Sequence, residues 1–302
     1  MRRFIVKVLL FALSAVLVAG TLELLVRQIP NSYRQKYEWM SRHGVDVQTL
    51  VLGNSHGLFG IRPDLLGMPA YNLCNVSQTF EYDDYLLRHF CPSCRQLKTV
   101  ILIVDHSNFF DPLLEDGEAY RCTYYRLYMH YPKHSLLSRY GLEVSDFHAV
   151  KEKVLNWYEG KSAPCDSLGW NGSYRKEDRN LADLTKEAAR KTVLRHHEHG
   201  LKYVGANTSA LLRIAAFCRQ HRLRLILLET PVLPAYSEAV RSEDQAPLQQ
   251  VLQQTLQLCQ DSYGAVVVDF STDSRFNEAD FFDADHLNSI GAEKLSRLLS
   301  SH

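Results

Sequence analysis

Two stretches at opposite ends of the chain carry residues suited to covalent chemistry. The first is VQTLVLGNSHGLFG at 47–60, where the apolar run Leu50-Val51-Leu52 stops at Gly53-Asn54-Ser55-His56-Gly57. Glycines close on both sides of Ser55 favour a tight turn that bulkier residues could not make. At a strand-to-helix turn the serine oxygen is held out at the carboxyl edge of a sheet, with backbone N–H groups nearby. A serine nucleophile needs that geometry. A solvated turn serine is the plain alternative. The second stretch is FFDADHLN at 281–288, with Asp283 three residues before His286. That offset in a turn brings two side chains together. Asp283 can then accept from one ring nitrogen of His286 while the other faces outward, ready to take a proton from a serine. Asp285 adjoins His286 and points elsewhere in most local geometries, so it is the weaker acid.

These residues meet only if the elements between them place them at one edge. A strand is expected at about 47–52, a second at 70–74, and a third at 99–105 (TVILIVD), whose continuous apolar run suits a parallel sheet covered on both faces. A fourth is expected at 223–229 and a fifth at 265–270. Helical stretches are expected at 31–43, 80–90, 207–221 with Asn207 near its start, 247–262, and 289–299 capped by Asn288 or Ser289. Residues 110–200 are less regular. They read as an insertion over one sheet edge, with turns at Asp111-Pro112, Tyr131-Pro132 and Asn171-Gly172 and helices near 144–158 and 181–197. Alternating strands and helices imply a parallel sheet with right-handed crossovers, and sites in such sheets form beyond the carboxyl ends of the strands. Gly53, Asp105, Glu229 and Phe270 all fall at such ends.

On these residues the chain resembles the SGNH (GDSL-type) hydrolase superfamily, in its membrane-anchored branch. The resemblance rests on Gly53-Asn54-Ser55 after the first strand and Asp283-Ala284-Asp285-His286 before the last helix. LGNSHGLFGIRPDLL and YNLCNVSQTFEYDDYLL are similar to surface-polysaccharide acyl esterases and O-acyltransferases in particular. It implies a three-layer α/β/α, flavodoxin-like domain around a parallel five-stranded sheet, with Ser55, Asp283 and His286 as the catalytic residues. It also implies an oxyanion hole made by the N–H groups of Ser55 and Ser77 and the amide of Asn108. Ser77 stands where the family carries glycine, and Asn54 where it usually carries aspartate. A turn-capping role is the alternative for Asn108. His56, His106 and Glu229 are possible pocket residues. Gly53 to Gly57 also fits the G-x-S-x-G elbow of α/β-hydrolases, but that elbow follows several strands and its acid and base are far apart.

The amino terminus sets the compartment. Arg2, Arg3 and Lys7 precede an apolar stretch that reaches Val26 and can just cross the ~20 residues a bilayer needs. Basic residues before such a span hold its amino end in the cytoplasm, leaving the rest of the chain outside. A cleaved signal peptide is the competing reading, opposed by apolar character beyond Gly20. The expected organisation is an anchor at 1–30, a connecting helix at 31–46, and the hydrolase-like domain at 47–302. Lys+Arg and Asp+Glu are equal at 34 each, so no basic surface for nucleic acid is indicated.

Seven cysteines leave at least one unpaired if the others form disulfides. Cys91-Pro92-Ser93-Cys94 has redox spacing but follows a helical stretch, whereas the redox motif opens one. His196, His197 and His199 suggest a metal cluster but lack an accompanying carboxylate-histidine spacing, and read as a solvated helix end. No metal or cofactor is expected. The expected partners are an acylated glycan or small ester, the membrane, and a membrane acyl-transfer protein. The rival readings are a lipase- or thioesterase-like hydrolase, and a catalytically weak domain that binds glycan or serves as a scaffold.

Overall fold

The computed structural model describes residues 1–110, 119–132, 142–160, 165–198, 200–242 and 246–301. The chain forms two compact units, one of Met1–Tyr37 with Gly117–Pro164 and one of Glu38–Asp116 with Cys165–His302. The turn expected at Asp111-Pro112 and the side chain of His199 lie outside the described residues.

In the first unit, α1 (Arg2–Gln28) is long and apolar enough to cross a membrane. Helix α2 (Ser32–His43) begins here and runs into the second unit.

The second unit is built on five parallel strands: β1 (Thr49–Leu52), β2 (Ala70–Asn72), β3 (Thr99–Ile103), β4 (Arg224–Glu229) and β5 (Val266–Asp269). Their order is β2-β1-β3-β4-β5, the flavodoxin-like arrangement. Register runs straight across the central strands, Leu50 beside Val100 and Val100 beside Leu225. All four β1 residues are buried, which is why its sequence reads as an unbroken apolar run rather than an alternating one.

Between β1 and β2 lies the short α3 (Ser55–Gly60), and α4 (Phe80–Phe90) follows β2. Later come α5 (Ala119–Tyr128), α6 (Phe147–Tyr158), α7 (Lys186–His196), α8 (Val204–Gln220), α9 (Pro234–Ser242), α10 (Ala246–Tyr263) and α11 (Ser289–Leu299). Helices α4 and α10 flank α8, while α3 lies against α11. Val51, Ile101, Ile103, Ile226 and Leu228 form one core with Leu295 and Leu299 of α11. Alternate residues of the same strands, Leu50, Val100, Leu102 and Leu227, are buried on the other face. The result is a three-layer α/β/α fold.

Two local expectations are corrected. Asn207 does not cap α8, which begins three residues earlier; it is fully buried and donates to the Phe109 carbonyl. Residues 181–197 are not one helix: a short 3₁₀ turn at Leu181–Leu184 precedes α7, which Thr185 caps by accepting from Ala188 N–H. Residues 117–164 of the less regular stretch fall in the first unit and 165–200 in the second. No disulfide joins the cysteines among the described residues.

Candidate active site

The turn after β1 is constrained at both of its glycines. Gly53 has φ 131°, and a β-carbon there would lie 2.6 Å from Cβ of Ile103. Gly57 has no room for one either, with Cys74 Sγ 2.5 Å away. Chain closure between them puts Ser55 at the first residue of α3, capped by Asn54, whose side chain accepts from His56 N–H. A buried clamp holds this turn to the next loop. Asn75 donates to Gln78, and Gln78 donates to Asp83 at 2.6 Å. Burial raises Asp83 to about 8, against the opposing hydrogen bonds from Gln78 and Gly53 N–H.

Ser55 Oγ lies 2.8 Å from Nε2 of His286. Nδ1 of His286 faces the Asp283 carboxylate at 3.0 and 3.1 Å. One oxygen of Asp283 also accepts from the backbone N–H groups of Asp285 and His286, which fixes the turn. Asn288 ends this turn and caps α11, accepting from Ile290 and Gly291. The serine, histidine and aspartate singled out in the sequence are therefore joined in one hydrogen-bonded chain.

Asp285 does not point away, as expected from its adjacency. Asp283 turns the backbone so that Asp285 faces inward, with Oδ1 3.4 Å from His286 Nδ1 and Oδ2 3.4 Å from His56 Nε2. His56 in turn holds Asp105 at 2.7 Å through Nδ1. The His56 ring is buried rather than facing solvent. Asp105 also accepts from Ser107 Oγ and from Asn54 Nδ2. Burial drives the His56 pKa down, but Asp105 and then Asp285 outweigh it and raise it well above the usual histidine value. Burial likewise opposes the imidazolium of His286, and Asp285 and Asp283 together lift it to about 9.

The oxyanion candidates are placed differently. Ser77 has φ 53°, the left-handed region that favours glycine. Ser77 thus holds a backbone conformation that a glycine would adopt without strain. Asn108 is fully buried, its Oδ1 accepting from Asp105 N–H. Its Nδ2 has no hydrogen-bond partner among the described residues. An unspent buried donor is what stabilisation of a developing oxyanion requires.

His56, His106 and Glu229 line a cleft of about 310 Å³ with Asp105, Thr230 and Asp269. Ser55 and His286 are not among its lining residues; His56, which lines it, meets His286 edge-on at 4.6 Å. Burial, with Asp269 and Asp105 nearby, pushes Glu229 up to about 8. His106 Nε2 lies 2.7 Å from His197 Nε2, and burial with that neighbour lowers it to about 4. His196 is no solvated helix end. It bonds Tyr236 Oη and lies 4.0 Å from Asp285. Burial brings it down to about 4.

One wall of the site comes from the irregular segment. Tyr174 is stacked between Phe59 and Phe282, with centroids 3.7 and 4.0 Å apart, and meets His286 edge-on at 5.6 Å. Trp170 Nε1 donates to the Phe59 carbonyl, and Tyr174 accepts from Ser289 N–H, tying α3 to α11. The sequence marked this segment only by its Asn171-Gly172 turn.

Ligand atoms of His56, Asp285 and His286 lie within 4.8 Å of one another, close enough for a cation. Both rings already face carboxylates that favour their protonated forms, which opposes metal binding.

No protein-family model and no curated protein matches the chain. Among solved structures, the chain is similar to a candidate platelet activating factor from Streptococcus pneumonia. The two are 13% identical over 94% of this chain and 98% of the other, with a TM-score of 0.43. It is also similar to a candidate acylhydrolase from Bacteroides fragilis, 10% identical over 92% and 91% of the two chains, with a TM-score of 0.40. Likenesses this distant carry no argument about chemistry.

Proposed function

We propose that the chain is a membrane-anchored serine esterase or O-acyltransferase of the SGNH type, acting outside the cytoplasm on acyl groups of cell-surface glycans. The observation that carries the enzymatic reading is the Ser55–His286–Asp283 chain, at 2.8 and 3.0 Å, at the carboxyl edge of a parallel sheet. Ser55 Oγ attacks the ester carbonyl carbon as its proton passes to His286 Nε2. The tetrahedral oxyanion is met by the N–H groups of Ser55 and Ser77 and the amide of Asn108. Collapse expels the alcohol, which takes the proton from His286. Water or a sugar hydroxyl then attacks the acyl-serine by the reverse route. The glycan substrate and a membrane acyl-transfer partner rest on the sequence resemblance. Anchoring draws on the length and apolar character of α1.

The test is labelling of the full-length protein with a fluorophosphonate, alongside hydrolysis of an aryl acetate. Both are expected, and both are lost in Ser55→Ala. A folded wild-type protein inert to both reagents overturns the enzymatic reading in favour of a glycan-binding or scaffold role.

A further inference from the structure

The first unit contains a second apolar surface besides α1. Helix α6 is capped at its start by Asp146, which accepts from Ala149 N–H, and none of its residues is buried. Phe147, Trp157 and Tyr158 are 78%, 55% and 84% exposed. At about 100° per residue these three share a half-turn of the surface with Val154 and Leu155, and the exposed Lys151 on that side can extend its ammonium back toward water. Lys153 lies off that side and is drawn inward to Glu143 at 2.7 Å. The half-buried residues of the helix, Ala149, Val150 and Lys153, face inward, and its aromatic side chains face outward.

The position of α6 along α1 says what that face meets. The exposed apolar residues of α1 run from Phe4 to Leu25. At 1.5 Å per residue they cover about 32 Å, close to the ~30 Å hydrocarbon thickness of a bilayer. Glu23 falls at the outer end of that span and is buried, whereas its neighbours Leu22, Leu24 and Leu25 are exposed. Its carboxylate accepts from the backbone N–H groups of Glu143 and Val144 and from Arg27 Nε. The segment leading into α6 is thereby fastened at the membrane boundary. Phe147 follows Val144 by three residues, at most about 10 Å of chain. Lys153, midway along the helix, is tied to the same Glu143, so both the start and the middle of α6 stay near the boundary.

We infer that α6 lies in the outer interface of the bilayer, its Phe147, Val154, Leu155, Trp157 and Tyr158 face inserted among the lipids. Aromatic residues concentrate at that depth, and an amphipathic helix there buries its apolar face about 5–10 Å into the headgroup boundary. The inference rests on the membrane anchoring by α1 proposed above.

The experiment uses the full-length protein in vesicles of brominated phosphatidylcholine, compared with vesicles of the unbrominated lipid. Flotation establishes that the chain is membrane-bound. The bromolipid is expected to quench emission from Trp157, one of the three tryptophans, so that the quenched share disappears in Trp157→Phe. A chain that floats but shows the same quenching with and without Trp157 overturns the inference and leaves the anchor standing. Protection of Trp157 by a second copy of the chain would give that result. A chain that does not float overturns the anchor and the inference with it.

Discussion

Asp285 places one carboxylate oxygen 3.4 Å from His56 and the other 3.4 Å from His286, so a single buried charge faces two imidazoles. In the resting site Asp285 is the largest influence raising His286. His286 acts as a base only when it has lost its proton, so kcat/KM should rise with pH with an acid limb above the ordinary histidine value, toward about 9. Asp285→Asn removes a negative charge, lowers the His286 pKa and moves that limb to lower pH. Rate profiles from pH 5 to 10 for the two proteins decide it. A limb that stays put, or moves upward, means that Asp285 does not set the base.

Asp283→Asn tests the acid. An asparagine keeps an oxygen to accept from the N–H groups of Asp285 and His286, so the turn should survive. The amide cannot hold the correct His286 tautomer as the carboxylate does. Turnover should fall by orders of magnitude, with about 10⁴ seen for the same change in a serine protease. Thermal unfolding should be nearly unchanged. If Asp285→Asn abolished turnover and Asp283→Asn spared it, the roles would be reversed.

Much of this site was legible because its signals are local. An apolar run, a glycine-flanked serine and an aspartate three before a histidine each fit within a few residues. The buried strands were legible for a related reason: a parallel strand covered on both faces leaves an unbroken apolar run, as in Thr99–Ile103. What escaped depends on the path of the chain. Asp285 turns inward only because Asp283 ties down two backbone N–H groups. His196 and His197 sit on a helix end whose sequence looks solvent-facing, yet Tyr236 and His106 cover them. Tyr174 comes from an irregular stretch and is recruited by stacking on Phe59 and Phe282, which no spacing announces.

Ser77→Gly should be tolerated and should stabilise the protein. The left-handed conformation at φ 53° costs a residue with a β-carbon on the order of 1 kcal/mol, a cost glycine does not bear. The backbone N–H remains, so turnover should stay within about tenfold, compared with the 10²–10³ loss when an oxyanion donor is removed. Chemical denaturation and steady-state kinetics on the one variant check both halves. Inert wild type alongside a reactive Ser77→Gly would contradict them and support a binding-only domain.

Gly57→Ala adds a β-carbon 2.5 Å from Cys74 Sγ and 2.7 Å from Ile103 Cγ1. Overpacking of this kind costs about 1–3 kcal/mol. Because α3 carries Ser55, the strain should also reduce activity. Pairing the change with Cys74→Ala opens space on one side and should recover part of the stability. No recovery in the double variant would place the strain elsewhere.

Ser55 and His286 are 231 positions apart, a separation that has a consequence in time. A ribosome adding about 5–20 residues per second needs roughly 10–50 s to travel from one to the other. Throughout that interval the emerging chain carries a serine hydroxyl with no base beside it. On the proposed mechanism the nucleophile gains its base only when the final loop docks, after all five strands have been synthesised.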